Sequence, residues 1–124
     1  MARKNEIDLR NSQTVLCFGD LVLDLRNKTL TGPKGQRFQS PKEAELLAFI
    51  MQSNGAIIEK SNIRRRIWGN ITVSDNAIDR KLFEVRSAIK DVSDTVEILS
   101  IYGQGLALRQ RLISQESSHF EIID

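Results

Sequence analysis

Ser40-Pro41-Lys42-Glu43-Ala44-Glu45-Leu46-Leu47-Ala48-Phe49-Ile50 reads as the first turns of a helix. Serine at the N-cap can accept from the backbone N–H three residues on. Glu43 can return the favour by accepting from the Ser40 N–H, and Pro41 lacks the N–H that would go unused at the first helical position. A cap of this kind contributes about 1 kcal/mol. Leu46, Leu47 and Ile50 then form an apolar stripe at helical spacing, and Asn54-Gly55 ends it.

Working forward from this helix, Ala56-Ile57-Ile58 is a short apolar link. Ile63 and Ile67 stand four apart on a second, shorter helix that stops at Trp68-Gly69. Trp68 is expected to pack, because a large aromatic at the end of a short helix has apolar area to bury. Ser74 can cap a third helix, on which Ile78, Leu82, Val85 and Ile89 recur on one face. The β-formers of Thr95–Leu99, the turn Tyr102-Gly103-Gln104-Gly105 and the return Leu106-Ala107-Leu108 predict a hairpin. Working backward, residues 14–39 read as an antiparallel meander. Leu21, Leu23 and Leu25 alternate with Val22 and Asp24, an imperfect alternation because Val22 is apolar too, and turns fall at Asn27-Lys28 and Gly32-Pro33-Lys34-Gly35. The order is sheet, three helices, hairpin. The sequence divides into an N-terminal arm (1–13), one domain (14–109) and a polar tail or linker (110–124).

A chain of 124 residues with 40% hydrophobic and 27% charged residues has the make-up of one ordinary globular domain. No apolar run approaches the roughly 20 residues of a membrane span. The N-terminus turns polar where a signal peptide would be apolar, so the expected location is the cytoplasm. Cys17 has no second cysteine to pair with, and with the lone His119 it cannot build a metal cluster. There is no nucleophile elbow, no phosphate-cradling glycine loop and no paired ligand set, and Gly103-Gln104-Gly105 lacks the third glycine of a dinucleotide site. No enzyme site and no cofactor are expected.

Charge is unevenly spread. The net charge is only +2, yet Lys60–Lys90 carries eight basic residues against three acidic ones, leaving the rest of the chain at −3. A basic centre in an otherwise mildly acidic chain is the footprint of a nucleic-acid site, although it also fits a solvated face. On the third helix the apolar face turns Asn76, Arg80, Phe83, Glu84 and Ser87 away from the core, with Lys81, Arg86 and Lys90 on the flanks. Asn can pair with adenine and Arg with guanine. Phe83 can touch a thymine methyl, Glu84 can accept from cytosine N4, and the flanking cations can meet phosphates. The same set also suits an ordinary exposed helix face. Arg64-Arg65-Arg66 spans about 200° of the second helix, so only one or two of them, taken as Arg64 and Arg65, can reach one backbone.

The ordered set of these motifs resembles the OmpR/PhoB-type winged helix-turn-helix domain, also found at the cytoplasmic end of ToxR- and CadC-like regulators. The likeness runs through Phe18-Gly19-Asp20-Leu21-Val22-Leu23-Asp24, Ser40–Leu47, Asn54-Gly55-Ala56-Ile57-Ile58, Ile67-Trp68-Gly69, Ile78-Asp79, Leu82, Val85-Arg86, Ile89 and Gly103-Gln104-Gly105. It covers about residues 15–109. It implies an α+β fold with an N-terminal antiparallel sheet, a three-helix core and a C-terminal β-hairpin wing. The third helix would enter the major groove and the wing would approach the minor groove. Arg80, Lys81, Phe83, Glu84 and Arg86 fall in the stretch that meets DNA in the family. Where the family often has basic residues, this chain has Glu84 and Ser87. The family's wing arginine is missing from Tyr102-Gly103-Gln104-Gly105-Leu106, so Tyr102 or Gln104 takes its place. No phosphoacceptor receiver domain precedes the module in this sequence.

The reading is therefore a sequence-specific regulator that binds double-stranded DNA, with side-by-side protomers on direct repeats and a polymerase contact through the loop Gly69–Val73 as expected further partnerships. Two others stand beside it. One is a winged-helix module with weak or lost DNA binding that works through a protein partner, motivated by Phe83 and Glu84. The other is the cytoplasmic part of a longer membrane-anchored regulator.

Overall fold

In the computed structural model, residues 14–111 are described. The arm over residues 1–13 and the tail beyond residue 111, His119 included, lie outside them. Among the described residues the chain runs through β1 (Val15–Phe18), β2 (Leu21–Asp24), β3 (Thr29–Gly32) and β4 (Gly35–Phe38), then α1 (Pro41–Gln52). It continues through α2, whose α-helical part (Lys60–Ile63) passes into a π-helical turn (Arg64–Trp68). Then come α3 (Asp75–Val92), β5 (Val96–Ile101) and β6 (Gly105–Gln110). This is the expected α+β winged-helix order. No helix among the described residues is long and apolar enough to cross a membrane.

The first four strands form one antiparallel sheet in sequence order. Its inner face carries Leu21, Leu23 and Leu30, all without exposed area, and Val22 points outward, which accounts for the broken alternation. The Asp24 carboxylate closes the β2–β3 turn by accepting from the backbone N–H groups of Arg26 and Asn27. That bonding, the Asn27 N–H above all, holds its pKa below the ordinary value.

Both predicted caps form. Glu43 N donates to Ser40 Oγ and Ser40 N donates to Glu43 Oε1, completing the reciprocal box at the start of α1. Ala77 N donates to Ser74 Oγ at the start of α3. Leu46, Leu47 and Ile50 of α1 meet Ile63, Ile67, Ile78, Val85 and Ile89 in one buried cluster, and Trp68 packs half-buried against it. Each fully buried side chain of this size is worth roughly 1.5–3 kcal/mol of transfer free energy.

Contacts with the first sheet fix where α3 sits. Its C-terminal end is clamped by the first sheet. Arg37 pairs with Asp91, Lys34 Nζ reaches the Lys90 carbonyl and Asp94, and Lys34 N donates to the Val92 carbonyl. Asp20, in the β1–β2 turn, accepts from both the Ser93 and Thr95 hydroxyls at 2.7 and 2.8 Å. The hairpin is positioned by the apolar link read from the sequence. Ile58 N donates to Leu106 O, and Leu106 N donates back to Ile58 O, so Ile58 becomes a partial third strand beside β6. β6 reaches Gln110, one residue into the stretch read as tail, and Arg111 continues the pairing by donating to the Thr95 carbonyl.

Candidate nucleic-acid interface

Helical geometry divides α3 into four sectors. Ile78, Leu82, Val85, Ala88, Ile89 and Val92 are buried. Directly opposite, Asn76, Arg80, Phe83, Ser87 and Lys90 recur at spacings of four, three, four and three, so they lie in one stripe along the helix. Asn76, Arg80, Phe83 and Lys90 are exposed and Ser87 is half-buried. Arg80 and Lys90 make no ion pair among the described residues, although the Arg80 charge is felt by Glu84 one turn on, so the stripe presents two exposed cations around an aromatic ring that is 70% exposed.

The two flanks are committed to neighbouring elements. Lys81 and Glu84 lie on the α1 side. Lys81 Nζ is 3.0 Å from Glu84 Oε1 and 3.9 Å from Glu43 Oε2 on α1. The Lys81 ammonium holds the Glu84 carboxyl below the usual carboxylate range. The sequence reading placed Glu84 on or near the outward face, yet it lies roughly 80° round the helix from the stripe's centre, close enough to α1 to join an ion cluster. On the other flank Arg86 donates to Ser100 Oγ of β5 at 3.0 Å, and Asp79 pairs with Lys60 of α2 at 2.6 Å.

The arginine run on α2 splits as its angular spread requires. Arg64 donates to the Val73 carbonyl at 2.6 Å and pairs with Asp75, bracing the loop that joins α2 to α3. Arg65 bonds Asn62 on its own helix, and Arg66 lies over the Phe49 ring, 5.0 Å from its centroid. Lys42 of α1 holds the end of α2 through the Ile67 carbonyl and lies 5.9 Å from the Trp68 ring centroid. At the hairpin tip Tyr102 is fully exposed and Gln104 is exposed. Gln104 N closes the turn on the Ile101 carbonyl, and Gly103 has φ +74°.

Of the residues singled out in sequence, the structure gathers Asn76, Arg80, Phe83, Ser87 and Lys90 on one outward stripe and sets Tyr102 and Gln104 at the hairpin tip. It engages Arg64, Arg65, Lys81, Glu84 and Arg86 in bonds within the fold. Two residues that sequence reasoning passed over join the surface. Lys60 and Ser100, with Asp79, Phe83 and Arg86, line a cleft of about 330 Å³ between α3, the start of α2 and the hairpin. Lys60 was visible only as part of a basic segment, because nothing local says that the start of α2 meets α3.

The family described as "Transcriptional regulatory protein, C terminal" matches residues 37–108. The chain belongs to this family. Members of this OmpR/PhoB-type family of regulators appear among its relatives by sequence and by fold. The transcriptional regulator HilA of Salmonella typhimurium is 23% identical over 113 residues, covering 91% of this chain and 20% of HilA. The transcriptional activator protein IrlR of Burkholderia pseudomallei is 30% identical over 105 residues, covering 84% of this chain and 46% of IrlR. The chain thus spans less than half the length of these relatives. The DNA-binding domain of E. coli CadC superposes with a TM-score of 0.70 at 19% identity, over 78% of this chain and 92% of that one. The DNA-binding domain of Klebsiella pneumoniae RstA, in complex with the RstA box, superposes with a TM-score of 0.62 at 15% identity, over 77% and 96%. These likenesses establish the winged-helix fold.

Proposed function

We propose that this domain is the sequence-specific, duplex-DNA-binding part of a transcriptional regulator, with α3 in the major groove and the β5–β6 turn near the minor groove. One observation carries the reading: the outward stripe Asn76–Arg80–Phe83–Ser87–Lys90, exposed at all but Ser87, lies diametrically opposite the buried face of a clamped helix. A helix held rigidly at its C-terminal end can present base-reading groups without paying to order them on binding. Membership of a family of transcriptional regulators, and the DNA complex of the RstA domain, support the same reading. The reading places the protein in the cytoplasm and needs no catalysis. Side-by-side binding on direct repeats and a polymerase contact through Gly69–Val73 extend it, and Ile71 in that loop is well exposed.

The test is selection of bound duplexes from a random-sequence pool at moderate salt. Enrichment of a repeated half-site, with affinity falling steeply as salt rises, establishes the reading. The second reading, a module that acts through a protein partner, is favoured by the internal engagement of Lys60, Arg64, Lys81 and Arg86. It predicts no enrichment and only weak, salt-abolished binding.

A further inference from the structure

We propose that Phe83 is a specificity-determining residue that reads the C5-methyl group of a thymine in the major groove; this rests on the duplex-DNA reading above. Phe83 is 70% exposed on the outward stripe, and it is absent from the apolar side chains packed against the core. Its ring is an apolar point where cations outnumber acids, the Asp79 of the same cleft being paired with Lys60. Arg80 and Lys90 share its stripe, and Lys60 and Arg86 line the cleft over which it stands. A polyanion suits that surround, and the surface of duplex DNA that offers an apolar group at the base edge is the thymine methyl in the major groove. The competing reader, Glu84, would favour cytosine by accepting from its N4 amino group. Glu84 is instead held by Lys81 on the side of the helix that faces α1. Of two adjacent residues with opposite pyrimidine preferences, the one free to reach a base is the one that prefers thymine.

The test uses the full chain and the half-site enriched from the random pool. Each thymine of that site is replaced singly by deoxyuridine, which lacks only the methyl group. The expected result is one thymine per half-site at which the unaltered protein loses affinity roughly fourfold, the factor given by burying one methyl-sized group. Phe83→Ala should bind the thymine and uracil duplexes equally at that position, and Phe83→Leu should retain part of the discrimination. Matching thermal melts of the variants confirm that folding is untouched, as expected for a ring outside the core. The proposal is overturned if uracil is tolerated at every position, or if Phe83→Ala stays as sensitive as the parent. Failure to enrich any duplex overturns the DNA reading itself, and the thymine assignment with it.

Discussion

Arg86 on α3 donates from a terminal guanidinium nitrogen to Ser100 Oγ on β5 across 3.0 Å, while its Nε is enclosed without a partner among the described residues. The bond joins the helix that carries the outward stripe to the first strand of the hairpin. With the Ile58–Leu106 pairing and the Arg109 Nε bond to the Gly55 carbonyl on the other strand, it attaches the hairpin to the elements that precede it.

Ser100→Ala should loosen one of those attachments. A typical hydrogen bond is worth about 0.5–1.5 kcal/mol net, and solvent exposure keeps this one in that range although its donor is charged. Urea denaturation should report a loss of that size, and hydrogen exchange should accelerate selectively at the β5 and β6 amides. Uniform acceleration across the domain would mean that the bond supports the core rather than the hairpin.

Arg80→Ala should weaken specific duplex binding by roughly 1–3 kcal/mol and relax the base preference at one position, with thermal stability unchanged. Arg80 is exposed and makes no ion pair among the described residues, so the fold loses little with it. Titration of the selected half-site and its single-base variants measures this. An unchanged affinity and preference would remove Arg80 from the reading set.

Asp20→Ala should cost about 1–3 kcal/mol. Ser93 is 2% exposed, and the lost carboxylate leaves its hydroxyl and that of Thr95 without their acceptor. The Ser93 oxygen also receives the backbone N–H groups of Thr95 and Val96, so the end of α3 and the start of β5 should loosen together. Chemical denaturation gives the magnitude, and a value near zero would mean that water replaces the carboxylate without penalty.

Gly105→Ala should destabilise the hairpin more than Gly103→Ala. Both positions have positive φ, +140° and +74°, so both variants carry backbone strain of about 1–3 kcal/mol. A methyl group on Gly105 would in addition overlap the Ile58 carbonyl, whereas one on Gly103 meets open space. Thermal melts of the two variants compare the terms directly; equal losses would mean that the backbone between Ile58 and Gly105 yields freely.

Stability should fall on acidification in part through Glu84. Its folded pKa is depressed by Lys81, so its contribution is complete above the unfolded value and is lost as pH drops through the folded one. From about pH 5 downward the unfolding free energy of Glu84→Gln should therefore decline less steeply than that of the parent. Parallel curves would show that the Lys81 pair adds nothing in solution, as partly exposed pairs often do.

Much of this fold was legible because its signals are local. The capping box at Ser40–Glu43, the cap at Ser74 and the spacing Ile78–Leu82–Val85–Ile89 each depend on residues within a few turns of one another. The candidate interface was legible only in part. Periodicity separates the buried and outward faces of α3, but it does not say what stands beside the flanks. Glu84 and Arg86 both read as exposed polar residues on a helix, and it took the placement of Glu43 and Ser100 to show that both are engaged. The link Ala56-Ile57-Ile58 carried no strand signal of its own, because a single bridging residue has no period to detect.

By itself the sequence determined the order of the elements, their boundaries at Ser40, Ser74 and the hairpin turn, and which side of α3 is buried. These follow from backbone hydrogen-bond accounting and from the 3.6-residue repeat, which act over short stretches of chain. The tertiary structure alone decided which of the basic and acidic residues remain available to a partner. An ion pair such as Lys60–Asp79 or Lys81–Glu43 joins positions far apart in the chain. Its existence depends on the distance between two helices, which no local pattern of residues encodes.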